Sequence, residues 1–500
     1  MSYINHSQSS YRSRIPSFMK SLYASTFGWF QTIFIASVLG CVIYYFYIGS
    51  STGTYNDTFL NVIVLSLMTD DLFLFIHLFR KPVKHEYLAF DPNKLTIVIA
   101  CYNGQDIIGD TITDALAHVK PNQIIVVSDA STDLTAQTAL SYGVRVIENE
   151  KNLNKAFSIS FVMHHVDTPY VLILDDDTLI GKTFIPTNLL DEGYDAVAFN
   201  VMPVKTNTFI NAFQMFEYRK SMFMGKSLRG SAGAVGNISG AIGLYRTSDL
   251  MDQVHMHSGQ FGGEDQQRTS FVHLYGKGKG ITYTDALVLT KAPETVKQLF
   301  KQRSFRWNLS LPELFFVYSR ILISPNFHYL LKTEKAYQMY LLATDPIRML
   351  FFWVIFFHPI QALTLYVFYI FFTLATWLKT GKQDPIWLIF VFPLYSFFES
   401  ICRFIAHFYW FKIKYHYLFK KKFHLLVKDR ALVWEYIGVL SLLLFLWALS
   451  IFRFEQAAIL KYNEMTIQNS QRNVVLGWTS TYRVIETTES TQSIYYATTQ

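Results

Sequence analysis

The chain has 500 residues, 51% hydrophobic, 17% aromatic and only 16% charged, with a net charge of +7. A mean hydropathy of +0.20 is too apolar for an ordinary soluble enzyme. Three cysteines exclude a disulfide framework, and the modest positive charge, with no nucleic-acid signature, points to cytoplasmic loops and anionic lipid and not to RNA or DNA.

Residues 1–26 are polar and carry Arg12, Arg14 and Lys20, too long and polar for the n-region of a cleaved signal peptide, so they read as a cytoplasmic segment. Residues 27–80 read as a two-helix transmembrane hairpin. Its first run, 27–48, is uncharged; its second, 59–79, is interrupted by Asp70 and Asp71 and followed by Arg80, Lys81 and Lys84. Basic flanks at both ends place both termini of the hairpin in the cytoplasm.

From 90 to 308 the pattern changes. Short apolar strands at 95–100, 123–127, 144–147, 170–174 and 196–201 alternate with helical stretches, which predicts an α/β domain with a mostly parallel sheet. Residues 309–345 return to amphipathic pattern, and 311–324, holding Glu313 and Arg320, reads as an interfacial helix. Residues 346–453 are a second membrane region. It contains an apolar run at 349–378 with Pro359, another at 386–411 with Pro393, Glu399 and Arg403, a basic stretch ending at Arg430, and a last run at 431–452. A cytoplasmic basic stretch fits five spans and an external tail, 454–500, that is polar and disordered, if 349–378 is one long tilted span; a broken hairpin there inverts the count. There are no internal repeats.

The sequence Leu172-Ile-Leu-Asp175-Asp176-Asp177 closes a strand with three carboxylates. Ligands bind beyond the carboxyl ends of such strands, and adjacent acids repel unless a cation sits among them. Mg2+ or Mn2+, held by carboxylate oxygens and substrate phosphates, fits that pattern; a solvated acidic turn is the alternative. The turn Cys101-Tyr102-Asn103-Gly104 lets backbone approach a ligand and offers Tyr102 for stacking. Asp129, in Ser128-Asp129-Ala130-Ser131-Thr132-Asp133, can accept from a base N–H, whereas Asp133 reads as a helix cap. Phe261-Gly-Gly-Glu264-Asp265 sets two acids on a glycine hinge, where a general base or a solvated turn are both open. Lys301-Gln302-Arg303-Ser-Phe-Arg306-Trp307 combines a guanidinium able to fork onto a diphosphate with a flat ring able to stack on a sugar; a juxtamembrane anchor has the same composition. Asp70, Asp71, Glu399 and Arg403 lie inside apolar runs, where they line or brace a channel for a polar chain, or else Glu399 and Arg403 neutralise each other as an i,i+4 pair and Asp70 and Asp71 lie near a bend.

Taken in order, Tyr102, Asp129, Asp175/Asp177, Glu264-Asp265 and Gln302…Arg306-Trp307 resemble the family 2 glycosyltransferases of GT-A fold, and within them the membrane-embedded processive synthases of hyaluronan, chitin, cellulose and capsule type. The resemblance covers about 94–307. It implies a Rossmann-like mixed sheet inserted between transmembrane helices and a UDP-sugar donor. It also implies a growing polysaccharide acceptor, a plasma-membrane location and a cytoplasmic catalytic domain. By the same resemblance Tyr102 and Asp129 hold the uracil, and Lys155 touches the diphosphate. Asp175 and Asp177 match the DxD metal site, Ser239 and Gly240 lie near the acceptor sugar, Asp265 beside Glu264 is the base, and Gln302, Arg306 and Trp307 match QxxRW. Two departures stand out: Asn154 replaces the usual glycine before Lys155, and Gln302 is four residues before Arg306, which reads as a one-residue insertion and leaves Gln302 or Arg303 for the glutamine role. The segment Trp478…Arg483 is faintly similar to a WGTR motif found on the cytoplasmic side of hyaluronan-type enzymes, which conflicts with an external tail. The implied function is processive, inverting polymerisation of a UDP-sugar into a β-linked polysaccharide that crosses the membrane. A non-processive transferase adding one sugar to a lipid is the alternative on the same fold, and a transporter with a regulatory domain is the alternative from another class. The sequence carries no signal for the donor sugar or the oligomeric state.

Overall fold

Leu95–Cys101 (β1), Ile124–Ser128 (β2) and Tyr170–Asp175 (β4) are continuous apolar runs buried along almost their whole length. Such strands lie in the middle of a sheet covered on both faces. In this computed structural model, which describes residues 64, 67, 68, 90–182, 184–254, 263–308, 315–341 and 359–419, they are its centre. Arg145–Glu148 (β3), Thr178–Leu179 (β5), Ala196–Pro203 (β6), Ile242–Arg246 (β7) and Ile281–Thr290 (β8) complete an eight-stranded sheet of order β3-β2-β1-β4-β7-β6-β8-β5.

The β3-β2-β1-β4 half is parallel, as the apolar runs predict. The other half departs from the expected mostly parallel sheet. β7 runs antiparallel to both β4 and β6, β8 is parallel to β6, and β5 is antiparallel to β8. β7 (IGLYR) is short and begins beside the small-residue segment 237–241, so its sequence has too few apolar positions to announce a strand. The sheet is therefore a GT-A-like mixed α/β sheet. Strand order reverses between β1 and β4, and Ala100 is in register with Asp175, so the ends of these two strands open one crevice.

Helices Ile108–Leu116 (α1), Thr135–Ser141 (α2) and Asn154–Val162 (α3) cover the parallel half. Phe209–Lys220 (α4), Glu264–Tyr275 (α5) and Val296–Gln302 (α6) surround the antiparallel half. Leu95, Val98, Val126, Leu172, Phe199 and Leu244 belong to the main core. Phe315–Ile323 (α7) lies within the stretch expected to be amphipathic. The apolar runs after it contain Pro359–Lys379 (α8) and Leu388–Phe419 (α9). Both have segments long and apolar enough to cross a membrane, Pro359–Lys379 and Leu388–Ala406. A second core joins α9 to the catalytic half: Phe213, Phe216 and Leu299 pack against Leu388, Phe392 and Tyr395. The first expected hairpin apart from Val64, Leu67 and Met68, with Asp70 and Asp71, the residues Phe261 and Gly262, the run 431–452 and the tail with Trp478 and Arg483 lie outside the described residues.

Candidate active site

Asp175 ends β4 and Asp176 and Asp177 form the turn that leads to β5, and the three side chains take different partners. Asp176 turns toward α1: its carboxylate accepts from the Cys101 thiol, and its carbonyl accepts from Thr111 Oγ1 at 2.6 Å. Asp175 turns the other way and forms an ion pair with Lys155 at the start of α3. Lys155 Nζ also donates to the Gly240 carbonyl at 2.9 Å and lies 3.4 Å from Glu264 Oε1. One ammonium thus ties α3, the end of β4, the 237–241 segment and the start of α5 together. Burial opposes its charge, but Asp175 and Glu264 outweigh burial and raise it above the usual lysine range.

The glycine hinge works as a left-handed turn: Gly263 has φ 90°, a conformation that disfavours a β-carbon, and α5 starts at the next residue. This aims Glu264 at Lys155 and places Asp265 beside Gly240, where a β-carbon would stand 3.5 Å from Asp265 Oδ2. Burial first, then the charge of Glu264, pushes the Asp265 carboxyl up to about 6, with Lys155 and Arg268 opposing. Arg268, one turn on from Glu264, was not singled out by the sequence motifs; its i,i+4 spacing from Glu264 on α5 is the signal that could have found it.

Asp177 points to the β5–β8 edge. Its Oδ1 accepts from Thr178 Oγ1 at 3.2 Å and from Thr290 Oγ1 at 3.3 Å. Burial raises Asp175, Asp176 and Asp177 alike; Asp176 adds to the rise of Asp177, and Lys155 works against that of Asp175. With Glu264 and Asp265 these are five carboxyl groups around Lys155 and Arg268, an excess of negative charge in a partly dry crevice. Its donor set is hard oxygen, and a divalent cation fits it. Among the described residues no group of three or more ligating side chains is preassembled. A pair such as Asp175 and Asp177 suffices where substrate phosphates complete the shell.

Asp129 follows β2 and is nearly buried. Its Oδ1 accepts from Asn149 Nδ2 and from the Leu153 amide, both at 2.8 Å, and its own amide donates to the Cys101 carbonyl at 2.9 Å. Leu153 immediately precedes α3, so Asp129 also fixes the helix that carries Lys155. Tyr102 is 52% exposed at the crevice mouth. Asn103 takes the left-handed φ of 54° that the Asn/Gly turn implies, and its Oδ1 accepts from the Thr132 amide at 2.8 Å. Asp133 caps, as expected, accepting from the Thr135 amide at 3.0 Å, and it also holds the Gln105 amide at 3.2 Å. Ser239 and Gly240 line the segment between α5 and β4: the Ile238 amide donates to Thr269 Oγ1 at 2.9 Å, and the Ala241 carbonyl accepts from the Asp175 amide at 2.9 Å. Asn154 is left-handed, φ 67°, so the residue replacing glycine keeps the glycine-like backbone.

The segment before Trp307 departs from regular α-helix. Residues Arg303–Trp307 form a π-helical turn, and the Asn308 amide reaches the Arg303 carbonyl five residues back at 3.4 Å. A π-turn accommodates one extra residue within a helix. Arg306 is exposed and Trp307 is 39% exposed, packing on Tyr218 at 5.9 Å between ring centroids. Tyr218 is buried on α4. Arg303, at the strict motif position, is fully buried and does not face the crevice. Its partners Glu217 on α4 and Glu399 on α9 were not foreseen. Glu399 therefore pairs with Arg303, and its i,i+4 contact with Arg403, at 4.0 Å, is the looser of the two.

Residues 96–252 match the family model for glycosyl transferase family 2. The chain is 29% identical over 225 residues to a poly-β-1,6-N-acetyl-D-glucosamine synthase of Staphylococcus aureus (strain MSSA476) and 27% identical over 224 residues to the synthase of that name of Staphylococcus epidermidis. Each match covers 43% of this chain, and the chain spans about half, 53%, of the length of these relatives. Among solved structures, a mannosyltransferase from Pyrobaculum calidifontis, in complex with GDP-Man and Mn2+, is similar over 73% of this chain and 100% of its own, with 13% identity and a TM-score of 0.45. Glucosyl-3-phosphoglycerate synthase from Mycobacterium tuberculosis is similar over 47% and 86%, with 13% identity and a TM-score of 0.33. With the strand-end acids on a mixed α/β sheet and the family match across them, the chain carries a glycosyl transferase family 2 domain.

Proposed function

We propose that the protein is a processive, inverting glycosyltransferase that polymerises a UDP-sugar into a β-linked polysaccharide at a membrane. The observation that carries the reading is the convergence on one crevice of Asp175, Lys155, Gly240, Glu264 and Asp265, from four separate segments. UDP-N-acetylglucosamine is the first donor to test, since the relatives are named for a polymer of that sugar.

The donor lies across the ends of β1 and β4. Tyr102 stacks on the uracil, and Asp129, whose Oδ1 is engaged, accepts from the base through Oδ2. Lys155 reaches the diphosphate. Asp175 and Asp177 would hold a divalent cation, Mg2+ or Mn2+, which would supply neutralising charge at the diphosphate. The acceptor hydroxyl sits between Gly240 and Asp265. Asp265 takes its proton as the acceptor oxygen bonds to the anomeric carbon and the carbon–phosphate-oxygen bond breaks, so UDP leaves with the bonding pair and the configuration inverts. A base raised by burial to about 6 is ionised near neutrality yet accepts a proton more readily than an exposed carboxylate. Gln302, Arg306 and Trp307 receive the acceptor end of the chain.

A membrane location is supported by the inverted polarity of α9. Its buried seam includes Tyr395, Glu399 and Cys402, whereas its exposed face shows Phe390, Leu394 and Phe397, continued on α8 by Ile360, Leu363, Val367 and Phe371. Apolar outside with charge inside is stable where lipid covers the outside. We read 90–308 as the cytoplasmic catalytic domain, 309–345 as interfacial and 346–453 as membrane region. The test is incubation of membranes carrying the chain with labelled UDP-GlcNAc, UDP-GlcA or UDP-Glc and Mg2+ or Mn2+. A ladder of β-linked products supports the proposal; a single-sugar lipid product, or no transfer from any donor, refutes it.

A further inference from the structure

Arg303 spends every part of its guanidinium inside the protein. Nη2 pairs with Glu217 Oε2 at 2.6 Å, Nε with Glu399 Oε1 at 2.9 Å, and Nη1 donates to Gln302 Oε1 at 2.7 Å. The flat face of the group lies 3.5 Å from the centre of the Trp307 ring. Tyr395 of α9 donates to the same Glu217 oxygen at 2.7 Å. A buried ion pair built only for stability needs two partners. Here a third edge orients an amide and the face orients an indole, and both belong to the segment placed at the acceptor end of the site.

We propose that Arg303 is a positioning residue: its planar fork sets the Gln302 amide and the Trp307 ring for the acceptor sugar and fastens both to helix α9 through Glu399. The π-turn makes this possible. The extra residue rotates Arg303 off the motif's surface and into the interior, and leaves Arg306 exposed as the cation available to an anionic ligand. Glu217 and Glu399 hold the guanidinium from two different helices, so its plane is fixed from both sides. Beside its contacts with Arg303 and Tyr218, Trp307 keeps 39% of its surface exposed, so part of the ring remains available for a sugar. Lysine cannot replace this: its ammonium has no planar fork and no stacking face. The inference rests on the reading of Trp307 as an acceptor contact.

The experiment uses the chain in membranes, with Arg303→Lys and Glu399→Gln. UDP binding by calorimetry reports that the donor side is intact. Initial rates with varied UDP-sugar and varied oligosaccharide acceptor separate the two KM values. Oxidative footprinting of Trp307, read by mass spectrometry, reports the ring independently of turnover. Arg303→Lys is expected to bind UDP like the parent and to keep the donor KM, while the acceptor KM rises by about tenfold, the scale of a desolvated cation–π contact. Its product ladder shortens and Trp307 oxidises several-fold faster. Glu399→Gln shifts the same readouts less. An unchanged acceptor KM with an unchanged Trp307 rate overturns the proposal, and so does a parallel loss of UDP binding and both KM values, which marks a purely structural role. Should Arg303→Lys fail to fold, the triple variant Glu217→Gln/Arg303→Met/Glu399→Gln, which leaves no unpaired buried charge, takes the same measurements, and the same results support or overturn the role. If the parent itself transfers no sugar, the proposed function fails, and the Trp307 footprint alone still decides the role of Arg303.

Discussion

Asp265→Asn is the sharpest test of the assigned chemistry. Asparagine has the shape of the parent side chain, so the approach to Gly240, where a β-carbon would stand 3.5 Å from Oδ2, is kept. The amide cannot take a proton. Loss of a positioned base costs on the order of 10²–10⁴ in rate, equivalent to about 3–5 kcal/mol in the barrier. The donor side does not depend on Asp265: Lys155 is tied to Asp175, Glu264 and Gly240. UDP affinity, read by calorimetry, should therefore stay within about twofold of the parent while labelled-sugar transfer falls by at least about a hundredfold. The pH profile adds a second readout. Burial raises the Asp265 carboxyl to about 6, and only the ionised form can act as base. The parental kcat/KM should rise with pH through about 6 and level off above it, and this limb should be missing from the residual rate of the variant. Transfer within about threefold of the parent, or an unchanged limb near pH 6, refutes the role of Asp265.

Asp177→Ala should abolish the metal-dependent part of UDP binding, seen by titrating UDP with and without EDTA; equal binding in both conditions for parent and variant would remove Asp177 from the metal site. Lys155→Met leaves Asp175 and Glu264 without their shared cation, so UDP should bind at least about tenfold more weakly, and unchanged affinity would refute the diphosphate contact. Gly240→Ala meets only ordinary contact at 3.5 Å, so its melting temperature should match the parent, while the added methyl fills the space between Gly240 and Asp265 and slows transfer. Gly236→Ala is the opposite case. Its methyl would run into the carboxylate of Glu334, which Arg229 fixes at 2.7 Å, so it should lower stability by about 1–3 kcal/mol, read as a lower melting temperature.

The parallel half of the fold was legible because its three central strands are buried on both faces: LTIVIAC, IIVVS and YVLILD are mostly apolar, and each strand end came within a residue or two of its expected place. Of the antiparallel half only β6, expected at 196–201, was legible. β8 (ITYTDALVLT) alternates buried and exposed residues in its second half, and its pairing with β6 shifts register between Ala198 and Asn200, so no single period runs through it. The acids were visible because like charges in sequence demand an explanation, but their partners were not. Lys155 meets Asp175 across 20 positions and Gly240 across 85, and Arg303 meets Glu399 across 96; no spacing rule reaches that far. The local pair of Glu399 with Arg403 is present, but its closer partner lay beyond reach of the sequence pattern for the same reason. Inside an apolar run a carboxylate costs free energy unless paired, and the pairing expected from the sequence was the local one with Arg403. The π-turn decides otherwise. By adding one residue before Trp307 it delivers the Arg303 guanidinium to Glu399 at 2.9 Å, closer than Arg403 at 4.0 Å. The segment whose spacing departs from the motif is thus the one that joins α6 to α9, through Arg303 and Glu399.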